Sequence, residues 1–182
     1  KETAHQLGTP TTSLTGWVEL LQNNYPDLPV TKELALDVKR LEKVTERFSR
    51  IGSKPSLTQE NILALIQNSV NYLKSRSSSK VLFVLPFSAD DEINLPVNPA
   101  LFEWVIENVC KNGIDAMEGN GEITIKVEEE EKYAVIDISD TGKGMPKSSW
   151  KKIFSPGYTT KKRGWGLGLS LAKRIIEEYH HG

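Results

Sequence analysis

The chain has 182 residues, enough for one domain or one domain with a helical appendage. It is 38% hydrophobic and 26% charged, with 23 lysines and arginines against 24 acids, which excludes disorder and collagen-like repeats and gives no support for a nucleic-acid binder driven by bulk charge. The single cysteine, Cys110, excludes an internal disulfide and a cysteine-rich zinc site and fits a reducing, cytoplasmic setting, and no apolar run reaches the roughly 18 residues of a membrane span.

In chain order, residues 1 to about 23 read as a helix, with Leu7, Leu14, Val18 and Leu21 at helical spacing and Pro10 as a kink. Tyr25-Pro26-Asp27-Leu28-Pro29 is a turn. Thr31 is placed to cap a second helix, which carries Leu34, Val38, Leu41, Val44, Phe48 and Ile51 close to a heptad seam. Two amphipathic helices joined by a short loop make a helical hairpin, whose apolar seam calls for a second copy.

Gly52-Ser53-Lys54-Pro55-Ser56 reads as a linker. Beyond it the pattern predicts a helix over 60–75, a buried strand over 80–86, a helix over 98–117 with Pro99 in its first turn, a strand pair over 122–128 and 133–140, and a last helix over 164–180. The acidic run Glu128–Glu131 reads as a solvated hairpin tip. The fold class expected is α+β: a hairpin stalk over residues 1–52, then a mixed domain over 57–182.

Chemistry concentrates in the second part. Six of the 13 glycines fall between positions 142 and 168. Asp140-Thr141-Gly142-Lys143-Gly144 closes a strand, and Gly164-Trp165-Gly166-Leu167-Gly168-Leu169 opens a helix. Such turns suit a phosphate through free N–H groups, yet neither is a P-loop or a dinucleotide fingerprint, and either alone is compatible with ordinary glycine turns. Asn108, Asn112 and Asp115 share one polar face of the 98–117 helix, opposite Phe102, Ile106, Val109, Gly113 and Met117. Amide oxygens there suit a hard cation such as Mg²⁺ or a plain solvated face. Residues 143–163 carry seven Lys and Arg, as expected of a mobile loop over a polyphosphate or of a basic surface loop.

Taken in order, Asn108-Val109-Cys110-Lys111-Asn112, Asp140-x-Gly142-x-Gly144, Phe154, Thr159-Thr160-Lys161 and Gly164-x-Gly166-Leu167-Gly168-Leu169 resemble the N, G and F boxes of the ATP-binding domain of sensor histidine kinases. That domain is of the type shared with DNA gyrase, the large heat-shock chaperones and the mismatch-repair ATPases. The resemblance covers residues 57–182 and implies an α/β sandwich binding ATP and Mg²⁺ under a lid. It implies that Asp140 accepts from the adenine amino group and that Gly142 and Gly144 let the backbone approach. Asn112 holds Mg²⁺ with Asn108 nearby, and Lys161 and the Gly164–Leu169 turn (Gly164, Gly166, Leu167, Gly168, Leu169) meet the phosphates. Phe154 anchors the lid, with Lys111 and Thr160 also at the nucleotide.

His5-Gln6-Leu7-Gly8-Thr9-Pro10 resembles the H box of the same kinases. By that resemblance His5 is the phosphoryl acceptor, with Thr9 one helical turn on, about 6 Å along the axis. Gln6 stands where most members carry an acid; members begin the first helix well before the histidine and continue past the end of this chain into closing strands, so both ends read as cut from a longer protein. The resemblance implies a homodimer, half of a four-helix bundle per chain, that passes phosphate from His5 to a response-regulator receiver domain. It implies no nucleic acid and no membrane contact within this segment. The rivals are an ATPase of the same superfamily without histidine phosphorylation and a degenerate regulator-docking module. Because the seam from Leu34 to Ile51 leaves a lone hairpin exposed, replacing Leu41 and Phe48 by Glu should turn a dimer into monomers that still bind nucleotide; sedimentation of parent and variant with a nucleotide titration checks this, and a monomeric parent at high concentration counts against the seam.

Overall fold

The computed structural model describes residues 14–25, 31, 34–35, 38, 56–88, 90–131, 133–161 and 166–182. The chain divides into two compact units, Lys1–Pro55 and Ser56–Gly182. In the first, residues 14–24 form a helix, α1, and positions 31, 34, 35 and 38 are helical. Val18, Val38 and Thr31 are buried, whereas Leu14, Trp17, Leu20, Leu21 and Leu34 are exposed. Thr31 is itself helical, so it does not stand ahead of the helix as a cap. Pro10 and the seam residues Leu41, Val44, Phe48 and Ile51 lie outside the described residues.

The second unit runs β1 (Thr58–Asn61), α2 (Ile62–Lys74), β2 (Val81–Val84), β3 (Asn94–Val97), α3 (Pro99–Ala116), β4 (Gly121–Glu129), β5 (Ala134–Asp140) and α4 (Gly168–Arg174), which continues as a π-helical turn, Ile175–Tyr179. β1 and β3 form an antiparallel pair; β2, β4 and β5 form a three-stranded sheet in that order, β2 parallel and β5 antiparallel to β4. The parallel β2–β4 pair needs a crossover, and α3 lies on that connection. Ile123 pairs with Phe83 and Asp140, and Ile125 with Ile138. Alternation sends Val81, Phe83, Ile123, Ile125, Ile136 and Ile138 to one face, where Ile62, Ile66 and Val70 of α2 and Phe102, Ile106 and Cys110 of α3 complete the core.

Several expectations need correction. Neither β1 nor β3 is visible in the pattern, because both are four residues long, and one is polar while the other contains Pro96. β2 is half-exposed rather than buried, with Leu82 at 60%. On α3 the buried face includes Val105 and Cys110, and Val109 is only partly buried. The last helix begins at Gly168, not at 164, and changes period at Ile175. The Cys110 thiol is fully buried, and burial pushes its pKa up to about 12.

The ends of the unit meet at the start of α3. Asn98 caps that helix by accepting from the Leu101 N–H (3.1 Å), and its side-chain amide donates to the Ser56 carbonyl (3.1 Å). The Asn98 backbone N–H donates to His180 Nε2 (3.0 Å), while His180 Nδ1 lies 3.0 Å from the Ile175 carbonyl. The ring is therefore neutral with its proton on Nδ1, because Nε2 must keep a free lone pair. Burial pushes its pKa below the ordinary 6.5, and the Ile175 carbonyl opposes that shift. A depressed folded-state pKa means that stability is fully present above about pH 6.5 and is lost as pH falls through the folded value. The unfolding midpoint should therefore drop between pH 7 and 5.5, and this drop should flatten in His180→Asn, as thermal melts across that range would record.

Candidate nucleotide site

The site is built on α3 and on the end of β5. Asp140 ends β5 over Gly113 of α3: a Cβ on Gly113 would come within 3.0 Å of Asp140 Cβ and 3.3 Å of Oδ2. Asp140 Oδ1 accepts from the Gly142 N–H (2.8 Å), which turns the chain sharply and fixes the carboxylate. Gly142 must be glycine, since a Cβ there would lie 2.6 Å from Asp140 Oδ1 and 2.9 Å from the backbone carbon of Ala116. Gly144 has open space but a φ of +65°. Thr141 Oγ1 accepts from the Glu122 N–H (3.0 Å), and the Lys143 N–H donates to the Ala116 carbonyl (3.3 Å). The turn after Asp140 is thus tied to both the sheet and α3. Among the described residues Asp140 Oδ2 has no hydrogen-bond donor, so one carboxylate oxygen remains open to a ligand.

One to two helical turns along α3, Asn108 lies beneath the start of α4. A Cβ on Gly168 would sit 2.5 Å from Asn108 Oδ1. Asn108 Nδ2 is buried without a hydrogen-bond partner among the described residues. A buried N–H donor without an acceptor is costly, and it lies beside the N–H groups that the first turn of any helix leaves unpaired. The local surplus is of donors, which suits an oxygen-rich anion.

Residues 141–161 contain two short 3₁₀ turns, Lys147–Ser149 and Lys152–Phe154. The Tyr158 hydroxyl donates to Ser149 Oγ (3.2 Å), and the Gly157 N–H donates to the Gly166 carbonyl (3.0 Å), closing the base of the loop that carries Thr159, Thr160 and Lys161. Lys161 Nζ donates to Asn112 Oδ1 (2.7 Å) and Asp115 Oδ2 (2.6 Å). A cation therefore already sits on the amide oxygen for which Mg²⁺ was expected, which shows that these oxygens fit a positive charge. Lys173 of α4 places its ammonium 5.7 Å from the centre of the half-exposed Phe154 ring.

The structure thus brings together Asn112 with Lys161, Asp140 with Gly142, and Asn108 with Gly168. Gly166 takes φ +63° at the loop base, and Leu167 immediately precedes α4 without a side-chain cap, with Leu169 in its first turn. Lys111 and Thr160 are exposed, with no recorded contact to these groups. His5, Gln6, Thr9 and Gly164 lie outside the described residues. Sequence reasoning noticed Asp115 on the polar face of α3 but assigned it no role; its place three residues after Asn112, on the same face, was the available signal.

Residues 97–182 match the family described as histidine kinase-, DNA gyrase B-, and HSP90-like ATPase. Residues 97–182 are therefore similar to the ATP-binding core of histidine kinases. Sporulation kinase C of Bacillus subtilis (strain 168) is 29% identical over 180 residues, 97% of this chain and 42% of that protein. The chain spans less than half the length of the first curated relatives it matches. Among solved structures, the catalytic domain of histidine kinase ThkA is 28% identical and superposes with a TM-score of 0.62, covering 69% of this chain and 82% of that one. ThkA in complex with the response regulator protein TrrA gives a TM-score of 0.64 at 23% identity, over 98% of this chain and 54% of that one. The fold is therefore the α+β ATPase fold of histidine kinase catalytic domains.

The glycines of the turn after Asp140 separate two kinds of cost. Gly142→Ala should destabilise by about 1–3 kcal/mol through overpacking against Asp140 and the Ala116 backbone. Gly144→Ala should cost about 1–2 kcal/mol from backbone conformation alone. Urea unfolding of both variants should rank Gly142→Ala as the greater loss.

Proposed function

We propose that this chain is the catalytic portion of a two-component sensor histidine kinase. It transfers the γ-phosphoryl group of ATP to His5 and passes it to an aspartate of a response-regulator receiver domain. The observation that carries this reading is the Asp140 carboxylate held over Gly113 with one oxygen open, together with a buried Asn108 amide that has no partner, both among the described residues. One end of the site offers an acceptor and the other offers donors, as a purine amino group and a phosphate chain require. The relatives support the kinase reading, and the ThkA–TrrA complex supports a response regulator as partner.

In this reading Asp140 Oδ2 accepts from the adenine amino group, and the chain at Gly142 and Gly144 lies against the base. Asn108 Nδ2, the Gly164–Leu169 turn, Lys161, Lys111 and Thr160 meet phosphate oxygens, and Phe154 anchors the lid through Lys173. Asn112 holds Mg²⁺, which when bound neutralises phosphate charge. Binding places the γ-phosphorus before a neutral His5 imidazole, whose attacking nitrogen forms the new N–P bond as the bond to ADP breaks. The other ring nitrogen must lose or share its proton. Gln6 orients that N–H through its amide oxygen but cannot take the proton away. Thr9 lies one turn on and serves the later removal of phosphate from the partner. Residues 1–52 form half of a homodimeric four-helix bundle, and the segment works in the cytoplasm; no helix among the described residues is long and apolar enough to cross a membrane.

Gln6 is the one feature that favours a non-catalytic docking module. Incubation of the full-length protein with γ-labelled ATP decides the matter. An acid-labile, base-stable label on His5 is expected, and it should be absent from Asp140→Ala. Free phosphate without label would indicate an ATPase, and neither product a docking module. Supplying the missing base, Gln6→Glu should raise the initial rate of labelling at least about tenfold, below the usual 10²–10⁴-fold worth of general-base help because orientation is already present.

A further inference from the structure

Asp115 is badly placed for the helix that carries it. It stands one residue before the end of α3 (Pro99–Ala116), where unpaired carbonyls form the negative dipole end. A carboxylate there lowers helix stability, and aspartate is itself a poor helix former. What the residue gains lies outside the helix: its Oδ2 accepts from Lys161 Nζ at 2.6 Å. The same ammonium donates to Asn112 Oδ1 at 2.7 Å, three residues back on the same face. The backbone of Lys161 is held as well, its N–H donating to Thr159 Oγ1 (3.1 Å). An ammonium has three donors and no acceptor, so after these two bonds one N–H is uncommitted among the described residues.

We propose that Asp115 is a positioning residue for nucleotide binding: its carboxylate sets the Lys161 ammonium beside Asn112, so that the lysine meets a phosphate oxygen with its direction already fixed. The inference rests on the reading above that Lys161 serves the phosphates and Asn112 the Mg²⁺. Of the two oxygens on the ammonium, Asn112 Oδ1 has the metal to hold, whereas the Asp115 carboxylate makes no other hydrogen bond or ion pair among the described residues. Asp115 is therefore the contact that can stay with Lys161 in the complex. A lysine stem ordered in advance has less rotamer freedom left to lose on binding. A carboxylate one helical turn from Asn112 would by itself repel phosphates, and its pairing with the ammonium offsets that repulsion. The Lys161 and Asp115 side chains are 41% and 45% exposed, so the effect is modest and weakened by salt.

The test measures binding of a fluorescent ATP analogue with Mg²⁺ by the whole chain, together with thermal melts. Asp115→Ala should weaken binding about two- to fivefold, the range of a weak exposed pair. Its melting midpoint should stay level or rise, because alanine relieves the helix end. Lys161→Met should weaken binding at least as much. Adding Asp115→Ala to Lys161→Met should cause no further loss, since the carboxylate then has nothing to position. Unchanged or tighter binding in Asp115→Ala overturns the proposal, and so does an equal further loss in the Lys161→Met background. A midpoint that falls together with affinity in Asp115→Ala reduces the contact to a structural ion pair and also overturns it. In each of these cases a parent that binds the analogue leaves the nucleotide reading standing. A parent that binds none overturns that reading and this inference with it.

Discussion

Helix α3 crosses the end of β5 with the Asp140 side chain packed directly on Gly113. Gly113 leaves room for Asp140, and Gly142 turns the chain beneath Ala116. Packing this close resists sliding, because an added carbon at Gly113 meets the Asp140 side chain and one at Gly142 meets that side chain and Ala116. The carboxylate that ends β5 is thus set relative to the amides on α3 by packing rather than by a hydrogen bond between them. Everything else at the site takes its position from that crossing: Asn108 and Asn112 follow from the pitch of α3, and α4 follows from the space left over Asn108.

The polarity of the site follows from the same geometry. Among the described residues, the unsatisfied group at the β5 end is an acceptor, Asp140 Oδ2. Beneath α4 it is a donor, Asn108 Nδ2. On the same helix a lysine ammonium lies on the oxygens of Asn112 and Asp115. A ligand that satisfies all three must offer a donor, positive charge or its equivalent, and acceptors. A nucleotide with its metal offers all three kinds of group.

How far the sequence disclosed this differs between elements. Long periodic segments were legible: the spacing of Phe102, Ile106 and Gly113 announced α3, and alternation through Ile123, Ile125, Ile136 and Ile138 announced the β4–β5 pair. The short β1 and β3 were not, because four residues carry too little alternation, and a proline argues against a strand unless it lies on an edge, as Pro96 does in its two-stranded sheet. Val109 was assigned to the core through a straight reading of helical steps, whereas the true face is rotated toward Cys110 so that Asn108 can turn under α4. The site boxes were legible as ordered motifs. The Asp115–Lys161 contact was not, because nothing in the chain announces a pairing across 46 residues. The change to π-helix at Ile175 was equally silent.

The burial of Cys110 has a practical side. It is the only thiol in the sequence, it is fully covered by the core, and burial holds it protonated far above neutral pH. Thiolate chemistry at neutral pH is therefore closed to the unmodified chain. Any cysteine introduced on the surface would stand alone as the reactive group, so the natural sequence already provides a silent background for attaching a spectroscopic probe to a chosen position.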